Sequence, residues 1–104
     1  MTEPILHSLA RQGRKLPADT DHLLAHTAAG SLLLLHVPPG DYHHESHARI
    51  EYLVCLVGRL VLETAAGRTE AGVGEMIEIP AGVSHRFAAD CDAVLLTVTQ
   101  QAEV

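Results

Sequence analysis

"GEMIEIPAGVSH", residues 74–85, sets a short apolar run, a turn and a single histidine within twelve positions. "EMIEIP" (75–80) is bounded by Gly74 and Pro80, the pattern of a β-strand stopped at both ends. Proline and glycine in "PAG" (80–82) force a tight turn, so His85 can be brought to groups carried by a distant strand.

The same grammar runs through most of the chain. "SLLLLHV" (31–37) ends at Pro38-Pro39-Gly40, and "IEYLVCLV" (50–57) ends at Gly58 with "RLVLET" (59–64) following at once. "AAGR" (65–68) reads as a hairpin turn into "TEAGV", and "SHRFAA" (84–89) and "AVLLTVTQ" (93–100) complete the series. Short runs rich in Val, Leu and Ile, punctuated by Gly and Pro, predict an all-β sandwich or barrel. Only the first dozen or so residues have room for a short helix. "EYLVCLV" and "RLVLET" are apolar on nearly every residue, whereas a half-exposed antiparallel strand alternates. Burial on both faces explains this, with a second copy of the chain as the expected cover: a homodimer.

Composition narrows the function classes. At 104 residues the chain is expected to be one domain, able to bury a core without disulfides. The formal charge of −6, with seven basic residues, argues against nucleic acid, which needs a surplus of Lys and Arg. "RQGRK" (11–15) reads as a solvated segment. Cys55 and Cys91 sit in apolar surroundings without CxxC spacing, as reduced thiols of a cytoplasmic protein do. "MTEPILHSLARQGRK" has none of the layout of a signal peptide, and "LLLL" (32–35) is far too short to span a bilayer. The expectation is a soluble cytoplasmic protein that meets no membrane.

Upstream, "DYHHESHARIEY" (41–52) gathers three histidines and two glutamates within nine positions, His43 to Glu51. Strand residues two apart point the same way about 6.6 Å from each other, so Glu45 and His47 can face one cavity. On a straight strand His47 and Glu51 would stand roughly 13 Å apart, too far for donors about 2.1 Å from one ion. The chain must therefore bend through Ala48-Arg49-Ile50. Two imidazoles and a carboxylate on converging strands match the face used by non-haem iron.

With both stretches in view, the chain resembles the cupin superfamily, in particular small single-domain bacterial cupins. The family's first motif sets a glycine before His-x-His, then three or four residues, a Glu, six residues and a Gly. Here Gly40 precedes Glu45 and His47, with Glu51 and Gly58 at the family spacing. The second motif, Gly, five residues, Pro-x-Gly, two residues and His, is met by Gly74, Pro80, Gly82 and His85. Ala89 stands where the family often has Asn. The resemblance covers about residues 31–99 and leaves a short N-terminal extension over 1–20. It implies a cupin-type β-barrel, a jelly-roll-like double-stranded β-helix, holding one divalent transition metal, Fe or Mn before Ni or Zn.

Glu45 occupies the slot of the family's first histidine. Either Glu45 itself ligates beside His47, Glu51 and His85, or a bulge puts His44 (or His43) in that slot, or the position is empty. An added carboxylate favours harder ions. If it is not a ligand, Glu45 is close enough to act as general base. The expected function is a metal-dependent enzyme, oxygenase-like or isomerase- or cyclase-like, acting on a small organic substrate. The alternative is a small-molecule-binding or accessory cupin that has lost its metal. Arg49 or Arg86 could pair with a substrate carboxylate. Tyr42, Tyr52 and Phe87 are rim or packing residues, Met76 belongs to the core, His36 is structural or supports the site, and His7, His22 and His26 lie outside it.

Overall fold

A computed structural model describes residues 3–100. Leu9–Arg14 form a short helix, α1. The strands follow as β1 (His22–Thr27), β2 (Gly30–Val37), β3 (Glu51–Thr64), β4 (Gly67–Ala71), β5 (Met76–Ile79), β6 (His85–Phe87) and β7 (Asp92–Gln100). The protein is all-β apart from α1, and every pairing between strands is antiparallel.

β3 organises the molecule. Its first half pairs with β7 on one side and β5 on the other, extending the order β1-β2-β7-β3. Its second half, Leu60 to Thr64, pairs with β4 and β6 in a second sheet. The crossover lies at a register shift between Cys55 and Val57, followed by Gly58 at φ +77°. A Cβ on Gly58 would stand 2.0 Å from the carbonyl oxygen of Asp92, so both backbone angle and space require glycine. Apolar side chains from the two sheets meet inside, among them Leu35, Val37, Leu53, Cys55, Leu60, Leu62, Ile77 and Leu95. On the opposite face of β2 and β7, Leu34 and Val94 are fully buried outside that core. Gly13 explains part of this: α1 lies so close to Val94 that a Cβ there would meet its Cγ1 at 2.2 Å.

Four expectations change. "IEYLVCLV" and "RLVLET" are one continuous strand, because a bulge beside Gly58 bends the ladder without ending it. β1 is an additional edge strand, hidden in sequence because only Leu23, Leu24 and Ala25 of its six residues are apolar. Met76 is 55% exposed on the outer side of β5 and is not core. Double-sided burial in the second half of β3 is satisfied within the chain, since Leu60, Val61 and Leu62 are all buried. In the first half, Tyr52, Val54, Leu56 and Val57 are half-buried and leave apolar surface for something else to cover.

Candidate metal centre

The two motifs are joined by main chain before any side chain is considered. Glu45 and His85 form an isolated antiparallel bridge: each N–H donates to the other's carbonyl at 2.8 Å. Two residues further along, the Gly82 N–H donates to the His47 carbonyl at 2.7 Å. Gly82 does this at φ +78°, which a side chain would strain. The "PAG" turn is thus pinned to the "ESH" segment, and register places Glu45 and His47 beside His85. The expected bend before Glu51 is present at Ala48 and Arg49. It lets Glu51 open β3 opposite Ile79 and Thr99.

Ligand atoms of Glu45, His47 and His85 lie within 4.8 Å of one another. The His47 Nε2 to Glu45 Oε2 distance is 3.5 Å. Glu51 sits against both rings, its Oε1 3.8 Å from His47 Nε2 and 3.6 Å from His85 Nε2. His85 is buried, and its Nδ1 lies 3.0 Å from the Val83 carbonyl. With Nδ1–H donating there, the lone pair of Nε2 is turned toward the cluster. Donors sharing one ion at about 2.1 Å stand roughly 3.0–3.4 Å apart, so the His47–Glu45, His47–Glu51 and His85–Glu51 contacts need close by less than about 1 Å. Two imidazoles and two carboxylates, one imidazole fixed by a backbone acceptor, therefore fit a divalent transition ion.

The cluster lies in a cavity of about 580 Å³. Leu35, Leu53 and Thr97 line its buried part, and Asp19, Asp21 and Arg49 its more exposed edge. Partial burial, then the charges of Glu45 and Asp21, push the Asp19 carboxyl above the ordinary range. Asp19 reaches this place because its N–H donates to the His36 carbonyl at 2.9 Å, with φ at +51°.

His44 is exposed and lies outside the cluster, as does His43. Arg86 pairs with Glu63 at 3.0 Å and does not line the cavity, so of the two arginines only Arg49 borders it. Phe87 does line it. Tyr42 instead packs edge-on against Phe87, ring centroids 5.7 Å apart, and donates to the Pro38 carbonyl. His36 lies 3.1 Å through Nδ1 from the Leu16 carbonyl, away from the cavity. Asp19, Asp21, Thr97 and Thr99 were not legible as site residues: they belong to no motif, and only the fold brings them to the cavity.

A small antiparallel barrel with a histidine–carboxylate cluster on the wall of a cavity defines a class of protein. Residues 33–99 match the cupin domain family, and the chain belongs to it. Solved structures agree on the fold. A Neisseria meningitidis protein is 19% identical, with a TM-score of 0.77 over 93% of this chain and 100% of its own. A cupin-2 domain protein from Shewanella frigidimarina is 18% identical, with a TM-score of 0.78 over 93% and 95%. A cupin domain from Bordetella pertussis is 21% identical, with a TM-score of 0.61 over 85% and 98%. No curated protein matches the chain in sequence.

Proposed function

We propose that this cupin is a metal-dependent enzyme acting on a small organic substrate, of oxygenase-like or isomerase- or cyclase-like type. The observation that carries the reading is the convergence of His47, Glu51 and His85 with Glu45 on the wall of a 580 Å³ cavity. These four residues would hold one divalent ion, Fe or Mn before Ni or Zn. Such an ion supplies Lewis-acid or redox chemistry to an oxygen of the substrate.

The chain's own residues do the rest. Leu35, Leu53 and Phe87 give the substrate an apolar wall and displace water from it. Arg49, which borders the cavity, would meet an anionic group of the substrate. If Glu45 does not help hold the ion, its side chain, 57% exposed, would accept a proton from the substrate and return it to solvent. Catalysis lost on chelation and restored by one metal equivalent supports the reading. Full turnover by metal-free protein refutes it. Binding of a small ligand without metal or turnover would favour the accessory, non-catalytic reading, to which the exposure of Glu45 lends some weight.

The protein acts as a homodimer in this reading. Tyr52, Val54, Leu96, Val98 and Leu32 form a half-buried apolar patch on adjoining outer positions of β3, β7 and β2, which a second copy would cover. Light scattering at twice the chain mass checks it. The free, buried Cys55 and Cys91 accord with a reducing, cytoplasmic location.

A further inference from the structure

Thr97 is a polar residue at a place suited to an apolar one. It lies on β7 at 3% exposure, between Leu33 and Leu53 on the neighbouring strands. Valine has the same shape and would fill that space without burying a hydroxyl. The hydroxyl has one side-chain partner: Thr97 Oγ1 donates to Glu51 Oε2 at 3.5 Å, at the long limit of a hydrogen bond. The two oxygens of Glu51 thereby face different neighbours. Its Oε1 is the atom 3.6 Å and 3.8 Å from the two histidine nitrogens, and its Oε2 is the atom facing Thr97.

We propose that Thr97 is a positioning residue, engaging one oxygen of Glu51 so that only the other is presented to an ion held by His47 and His85. The inference rests on the metal-binding reading and deepens it: the hydroxyl would fix the orientation of a carboxylate that helps hold the ion. Outer partners of ligating side chains commonly govern affinity by roughly 10- to 100-fold. Two substitutions separate this role from packing. T97V keeps the shape and removes the hydroxyl, whereas T97S keeps the hydroxyl and removes a methyl group.

The experiment loads wild type, T97V and T97S with Co²⁺ and records the visible d–d absorption and the affinity by competition with a chelator. The expected result is a wild-type spectrum and affinity for T97S, with an altered spectrum and an affinity roughly ten-fold weaker for T97V. If T97V does not fold, judged by circular dichroism, T97A replaces it with the same expectation. Spectra and affinities unchanged in the hydroxyl-free variant, or changed only in T97S, overturn the role of Thr97 while leaving the metal reading intact. A wild-type protein that takes up no Co²⁺ overturns both.

Discussion

At position 45 a carboxylate stands where the family pattern has an imidazole, and its backbone is paired to His85 through two hydrogen bonds. The main chain thus places residue 45 at the site whatever its side chain. Glu45 is largely exposed, however, whereas His85 is buried with its ring set by the Val83 carbonyl. An exposed ligand reorganises more on binding and gives less affinity. H85A is therefore predicted to weaken metal binding well beyond the roughly 100-fold upper range of outer partners, and E45A by about ten-fold, as read by chelator competition. Equal losses would contradict the ranking. His47, Glu51 and His85 are legible in the sequence, because two spaced motifs name them; Glu45 is one of three readings of a slot where the family pattern has histidine. Thr97 and Asp19 are not legible: a threonine in a strand looks like any β-former, and an aspartate in a loop like any solvated one.

At the scale of elements, β3 shows why the sequence misled. Glycine after an apolar run normally ends a strand, and on the sequence alone Gly58 divides "IEYLVCLV" from "RLVLET". Here glycine and a bulge let one strand of fourteen residues serve both sheets. Nothing local distinguishes the two outcomes; the pairing of β3 with β7 decides between them, and it is long-range. G58A forces a side chain into a positive-φ position and against the Asp92 carbonyl. It is predicted to cost about 3 kcal/mol or more in urea unfolding, from strain and steric displacement together. A loss below about 1 kcal/mol, the ordinary range of a tolerated Gly→Ala change, would mean the crossover is not held as described.

Over the whole molecule, the all-β class was clear from the sequence and the course of the apolar strands nearly so. What sequence could not give was which faces are covered from within. A surface ion network crosses the second sheet: Arg59 meets Glu70 at 2.9 Å, and Arg68 meets Asp90 at 2.8 Å and Glu70 at 3.4 Å. Its hydrogen bonds hold the carboxyls of Glu70 and Asp90 below their ordinary values of 4.5 and 3.8. A depressed folded pKa gives stability that is full above the unfolded value and disappears as pH falls through the folded one. The melting temperature of R68M should therefore trail that of wild type near pH 6, and the gap should narrow toward pH 3. A gap that widens on acidification would reverse the sign and refute the assignment.

In the function proposed, the "ESH" segment, Glu51 and His85 make one metal site. Its most direct test is elemental mass spectrometry of untagged protein purified without chelator, beside H47A. One equivalent of iron, manganese, nickel or zinc per chain, lost in H47A, is the predicted result. Wild-type protein that holds no metal, even after loading with each ion in turn, would contradict it.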